Sequence, residues 1–382
     1  MPQPHLSRRQ VLASAAGLLV FSRLPRPSSA AAHTDLRAQL RRDAEAIRDL
    51  GIAGVLAEVW TPAGRLAVRS GVADRATGRP VPFGASYRIG SSTKTFTAVA
   101  LLQLVGEDKV GLDDSVERHL PGLVSEKITV RHLLRHQSGL PDWDDLVRKL
   151  FATPEDYERN KLRSFTPEEL VAAALAHPPR FEPGTQWQYV NTNYLLAGMI
   201  IAKVTGRSWA QEIRDRILNP LRLRHTFVAT DPYLPRPHAH AYARWEPDGP
   251  WIDTTVTGLH GYGAGGLIST TADLNRFWRG LIGRRLLRPD LLAQMQDTVP
   301  VEGFPLPGLR NGLGVFQLPL SDGGMYWRHG GSMIGSLTMD GATPDGRRSV
   351  AVLTTSRAHL DRDFETRQNA ATNTLIDHAL TA

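Results

Sequence analysis

A chain of 382 residues, 41% of them hydrophobic, is long enough for a large core, and its 34 glycines and 26 prolines are spread too evenly for a collagen-like or low-complexity class. With no cysteine, the chain excludes disulfide frameworks, thiol nucleophiles, zinc–thiolate sites and iron–sulfur clusters. The formal charge is +7, but residues 1–32 hold Arg8, Arg9, Arg23 and Arg26 and no acid, which leaves 7 − 4 = +3 on the rest; with both signs interspersed there, a mildly basic surface is expected rather than a nucleic-acid partner.

The first element is a targeting segment. Ser7-Arg8-Arg9-Gln10-Val11-Leu12 places a twin arginine before an apolar run, Val11 to Phe21, and small residues follow at Ser28 to Ala32. About eleven apolar residues fall short of the roughly 20 that span a membrane. Residues 1–32 are therefore expected to be a cleaved twin-arginine signal peptide, and the protein to be secreted with no stable membrane span.

A helix is predicted over Leu36–Leu50, closed by Gly51, then a hairpin of Gly54–Trp60 and Arg65–Val72 about the Pro62-Ala63-Gly64 turn. Apolar residues at helical spacing predict helices over Ser92–Val105 and Tyr194–Val204, and Thr270-Thr271-Ala272-Asp273 reads as a helix start. Two strands, Ser336–Met339 and Arg348–Thr354, flank the Thr343-Pro344-Asp345-Gly346 turn before a last helix over Phe364–Leu380. Strands at both ends with helical material between predict one sheet assembled from both termini, not an alternating α/β fold.

Three segments could carry chemistry. Ser91 and Lys94 lie three apart at a helix start, hence on one face. A serine hydroxyl needs a neighbour to take its proton. A lysine, with an ordinary pKa of about 10.4, does so only when burial and nearby positive charge lower it. The helix N-terminus adds positive potential where an oxyanion would form. Only six of the 45 basic residues are lysines, so a lysine in a motif is less often accidental. An isolated Ser-x-x-Lys is nonetheless more often a capping serine and a solvated lysine.

Tyr189-Val190-Asn191 sits in a loop before a helix, where a phenol could shuttle a proton and an amide could orient Lys94; a buried tyrosine and a turn asparagine are the plainer alternative. His329-Gly330-Gly331-Ser332 precedes the Ser336 strand and is expected at a strand entry; a glycine-rich bend with an ordinary histidine is the plainer alternative. There His329 could hydrogen-bond the Tyr189 or Ser91 region, and the Ser332 N–H could complete an oxyanion hole with that of Ser91. His238-x-His240, in a proline-rich loop without a third ligand, reads as loop packing rather than a metal site.

Ser-x-x-Lys followed by two further motifs marks serine β-lactamases and penicillin-binding proteins. The order Ser91-x-x-Lys94, Tyr189-x-Asn191, His329-x-Gly331 resembles the branch holding class C β-lactamases, secreted actinomycete D-alanyl-D-alanine carboxypeptidases and related esterases and D-amino-acid peptidases. Tyr87-Arg88-Ile89-Gly90-Ser91, Leu133-Leu134-Arg135-His136-Gln137-Ser138-Gly139-Leu140 and Gly265-Gly266-Leu267-Ile268-Ser269-Thr270-Thr271 resemble its other signatures. The resemblance implies an α+β, β-lactamase/transpeptidase-like fold: an antiparallel sheet flanked by helices plus an inserted, mostly helical lobe. The catalytic domain would span 33–382, with the sheet lobe from about 33–95 and 300–382 and the helical lobe about 96–299.

The resemblance further implies acylation of Ser91, with Lys94, Tyr189 and His329 as catalytic residues and Asn191, Gly331 and Ser332 binding substrate. It implies no metal or organic cofactor; a monomer acting on a small peptide or β-lactam is expected. Histidine rather than lysine in the third motif resembles the carboxypeptidase and favours D-alanyl-D-alanine hydrolysis. That relative has arginines after its Leu-Gly-Leu segment, one of them binding the substrate carboxylate. Here Gly312-Leu313-Gly314-Val315-Phe316-Gln317 offers none, and Arg328, beside His329, is the candidate replacement. A β-lactamase, a promiscuous esterase or D-aminopeptidase, and a non-catalytic β-lactam sensor are the other readings.

Overall fold

The computed structural model describes residues 29–303, 306–358 and 361–382; the twin arginine and the apolar run after it lie outside them. The first described element is helix α1, Ser29–Asp49, followed by strands β1, Gly54–Thr61, and β2, Gly64–Gly71, paired antiparallel about the anticipated turn. Helix α2, Thr93–Gly106, and helix α3, Thr192–Thr205, belong to the inserted lobe. Helix α4, Thr271–Ile282, returns the chain to the sheet, with the Thr270 hydroxyl accepting from the Asp273 N–H as its cap.

Six further strands complete the sheet: β3, Val299–Pro300; β4, Arg310–Asn311; β5, Phe316–Pro319; β6, Met325–Met333; β7, Ser336–Ala342; and β8, Ser349–Thr354. Helix α5, Arg362–Thr381, closes the chain. The spatial order is β2-β1-β8-β7-β6-β5-β4-β3, antiparallel throughout. The N-terminal hairpin thus pairs directly with β8 near the C-terminus, and the expected two-ended sheet is present.

Each face of the sheet has its own core. On one face α1 and α5 bury Leu40, Ile47, Phe364 and Ile376 against Val55, Val59 and Val352. On the other, α4 lies between the sheet and the helical lobe. Thr271 and Asn275 of α4 donate to the carboxylate and carbonyl of Glu58 in β1, at 3.1 and 2.9 Å. The rings of Phe96 and Phe277 stack 3.7 Å apart where α4 meets α2. Helix α2 is buried on nearly every side, as the apolar sequence Phe96-Thr97-Ala98-Val99-Ala100-Leu101-Leu102 requires. A central helix of this kind is a rigid mount for whatever its first turn carries.

Candidate active site

Ser91 lies in a 3-10 turn, Gly90–Ser92, that feeds α2. Gly90 has φ +48, and a Cβ there would come within 2.7 Å of the Ser332 carbonyl oxygen. A Cβ on Gly331 would lie 1.9 Å from the Ile89 carbonyl and 2.7 Å from the Ser91 nitrogen. Both glycines are required so that the end of β6 can lie backbone against backbone on the nucleophile turn. This close approach brings the Ser332 and Ser91 amides to one place. The His329-Gly-Gly segment lies not at the entry of the Ser336 strand but within the preceding strand, β6, and the extended conformation is what allows the approach.

Lys94, fully buried, points its Nζ at the Ser91 Oγ, 3.0 Å away. The same nitrogen donates to Asn191 Oδ1 at 2.8 Å and to the Ala264 carbonyl at 2.8 Å. It stands 5.0 Å from the centre of the Tyr189 ring. A second tyrosine, Tyr194, has its ring centre 5.7 Å away, but its hydroxyl donates to the Leu134 carbonyl at 2.8 Å, and burial holds it well above the usual phenol range. Tyr189 instead lines the cavity that holds Ser91. Of the two rings, that of Tyr189 is the one that faces the cavity.

Two further residues build the site: Asp142, outside every quoted motif, and His136, inside the Leu133–Leu140 segment but given no role from sequence. Asp142 is buried, and its carboxylate accepts from the Asn191 backbone and side-chain amides at 2.8 and 3.0 Å and from the Thr192 N–H at 3.2 Å. It thereby caps α3 and fixes the amide that holds Lys94. His136, at φ +56, accepts from the Val190 N–H at 3.1 Å and lays its ring 4.4 Å from that of Tyr189. Burial first, and the Lys94 charge second, hold His136 well below the ordinary imidazole range, so its ring supports Tyr189 as a neutral group.

His329 is buried, and burial together with the Lys94 charge pushes it down to about 3. Its Nδ1 sits 2.7 Å from the Gly330 carbonyl and 2.9 Å from the Gly330 N–H, and its ring stands edge-on to Phe316 at 5.2 Å. Its Nδ1 is thus turned to the backbone of β6, and the ring lines the same cavity as Ser91 and Tyr189 as a neutral wall. Arg328 lines the same cavity, where it donates to Asn373 Oδ1 of α5 at 3.3 Å and its guanidinium lies beside Gly330.

Behind the nucleophile turn, Asp340 of β7 faces His329 across the strand pair. Its carboxyl is buried, with the Ser92 hydroxyl and the Trp278 indole as neighbouring donors and no close hydrogen bond. Burial raises it to about 7.

Two cavities meet at Ser91. The larger, about 510 Å³, runs past His329, Phe316 and Arg328 along α5. The smaller, about 290 Å³, lies on the Asn191 side, walled by Trp143, Leu259 and His260. Among the described residues no group of three ligating side chains could hold a metal ion, and His240 is bonded to Asp253 at 2.5 Å. No helix among them is long and apolar enough to cross a membrane.

Comparison with known proteins agrees with this geometry. The fold and sequence are similar to a D-stereospecific amidohydrolase from Streptomyces sp., at 36% identity over 88% of this chain and 98% of that one, with a TM-score of 0.79. A D-amino acid amidase from Ochrobactrum anthropi SV3, in complex with D-phenylalanine, is 28% identical over 90% and 98% of the two chains, with a TM-score of 0.80. Penicillin-binding protein 4* of Bacillus subtilis (strain 168) is 33% identical over 41% of this chain. The chain matches only about a third of the length of such curated relatives, 34% in that case. The Beta-lactamase family model matches residues 9–374. With a serine, a lysine and a tyrosine gathered at one cleft and a family match along almost the whole sequence, the chain belongs to the Beta-lactamase family of serine hydrolases.

Proposed function

We propose that this protein hydrolyses amide bonds of D-configured aminoacyl compounds through an acyl-enzyme on Ser91. The observation that carries the reading is the Lys94 amine 3.0 Å from the Ser91 Oγ, fixed by Asn191 and Ala264. In the attacking state the neutral amine takes the hydroxyl proton as Oγ bonds to the substrate carbonyl carbon. The carbonyl π pair moves to oxygen, which the Ser91 and Ser332 N–H groups stabilise. Collapse of the tetrahedral intermediate breaks the C–N bond, and the departing amine takes its proton from the Lys94–Tyr189 pair. Water then attacks the ester by the same route and releases the acid and the free serine. The leaving amine departs through the larger cavity, open along α5, and the acyl part occupies the smaller one.

Preference for the D configuration is supported by the Streptomyces and Ochrobactrum relatives, which are a D-stereospecific amidohydrolase and a D-amino acid amidase. Ammonia release from D-phenylalanine amide at least tenfold faster than from the L-amide is the expected result. Turnover of p-nitrophenyl acetate alone, with neither amide hydrolysed, would overturn the reading. A second reading, D-alanyl-D-alanine carboxypeptidase, is favoured by Arg328 on the wall of the larger cavity. It predicts D-alanine release from a Lys-D-Ala-D-Ala peptide faster than ammonia release from the D-amide, whereas nitrocefin turnover above both would point to a β-lactamase. We also infer secretion through the twin-arginine segment; retention of the full chain inside cells after Arg8 and Arg9 are both replaced by lysine tests it.

A further inference from the structure

His260 stands in the loop that leads to Ala264, and its ring lines the smaller cavity with Ser91, Asn191 and Trp143. Behind it, the Arg88 Nη1 lies 3.2 Å from His260 Nδ1. A guanidinium offers donors only, so Nδ1 must be the acceptor and the single proton of the neutral ring must sit on Nε2. Arg88 cannot turn away: it is buried, and its Nη2 donates to the carbonyls of Asp231 and Pro232 at 3.1 and 2.8 Å. The guanidinium also lies three residues before Ser91, on the short strand that delivers the nucleophile. Burial, and then the Arg88 charge, hold the imidazole at about 4, so the ring keeps one proton at neutral pH. Among the described residues the Nε2–H meets no protein acceptor, and it is not sealed in the interior.

We propose that His260 is a substrate-binding residue whose Nε2–H donates to a carbonyl or carboxylate oxygen of the acyl group, two or more bonds away from the reacting carbonyl. The inference rests on the acyl-enzyme reading above and adds a specificity to it. The enzyme prefers acyl groups that carry a second oxygen acceptor, such as an N-acylated residue, over plain aliphatic or aryl acids of the same size. Arg88 acts through His260 by fixing the tautomer.

The test compares two p-nitrophenyl esters with the same leaving group: N-acetyl-D-phenylalanine, which carries the acceptor, and 3-phenylpropionic acid, which lacks it. The intact enzyme is expected to favour the first in kcat/KM. His260→Leu should shrink that preference by about 3–10-fold, the worth of one neutral hydrogen bond, with most of the change in KM. His260→Asn, which keeps a donor, should restore part of it, and it serves as the second variant if the leucine protein folds poorly. An unchanged ratio of the two esters in His260→Leu would overturn the histidine subsite while leaving the acyl-enzyme intact. Failure of the unmodified enzyme to form an ester adduct at Ser91 would instead overturn the acyl-enzyme reading and this inference with it.

Discussion

Lys94 is held by three acceptors at once, one of them the Ser91 hydroxyl it is proposed to activate, and two of those contacts come from segments 97 and 170 residues away. In the proposed mechanism, replacing it removes the base and leaves the serine at its ordinary reactivity. General-base catalysis contributes about 10²–10⁴-fold. Lys94→Ala should therefore slow acylation by a fluorescent penicillin by about that factor, read from the rate of label incorporation. Ser91→Ala should carry no adduct at all by mass spectrometry; a label on another residue would remove Ser91 from its role. Asp142 acts one step further out. Asp142→Ala leaves the Asn191 side-chain and backbone amides without their acceptor, so Asn191 loses its fixed orientation and Lys94 one of its anchors. Acylation should fall about 10–100-fold with an altered pH profile, since the lost contact belongs to the group that handles the proton. A purely structural aspartate would lower the melting temperature and leave that profile in place.

At the scale of elements, β6 and the Gly90–Ser92 turn behave as one device. The strand lies so close that a methyl group on Gly331 would penetrate the Ile89 carbonyl. Gly331→Ala must push the strand from the turn, separating the Ser91 and Ser332 amides. Removing one oxyanion donor costs about 10²–10³-fold, so acylation should drop at least that far while far-ultraviolet circular dichroism stays native; near-normal acylation would show that the two amides do not act together. This device was the least legible part of the sequence. Helices α2, α3, α4 and α5 and the β1–β2 hairpin were readable because apolar spacing, the Thr270 cap of α4 and a Pro-Ala-Gly turn agree locally. Strand β6 contains Arg328-His329-Gly330-Gly331-Ser332, with neither apolar alternation nor β-branched residues, and its extended form is imposed by β5, β7 and the nucleophile turn. Ser91 and Lys94 could be paired from helical spacing alone. Asp142 and His260 have no such local signal, and the quoted segment around His136 does not show what its ring does, because each acts on a partner about 50 or more residues away.

The stability of the whole molecule should carry the mark of groups buried behind the site. Asp340 is a carboxyl with an ordinary value of 3.8, raised by burial to about 7 in the folded chain. Between those values the unfolded chain has released the proton and the folded chain still holds it. The folded state therefore binds more protons, and this group makes stability fall as pH rises from about 4 to about 7. His329 works in the opposite sense. Its ordinary value of 6.5 drops to about 3 on folding, so the unfolded chain binds the extra proton and stability rises with pH from about 3 to about 6.5. The two slopes oppose each other over most of the acidic range and flatten the profile. Asp340→Asn removes the falling limb, since an amide of the same shape does not titrate. Chemical denaturation at a series of pH values should show the variant gaining on the parent steadily from about pH 4 to pH 7, by up to about 4 kcal/mol, with no further gain above that range. A difference independent of pH would mean that the carboxyl is already ionised in the folded core, held by the Ser92 hydroxyl and the Trp278 indole, and that the buried side of the sheet tolerates a charge directly behind the nucleophile.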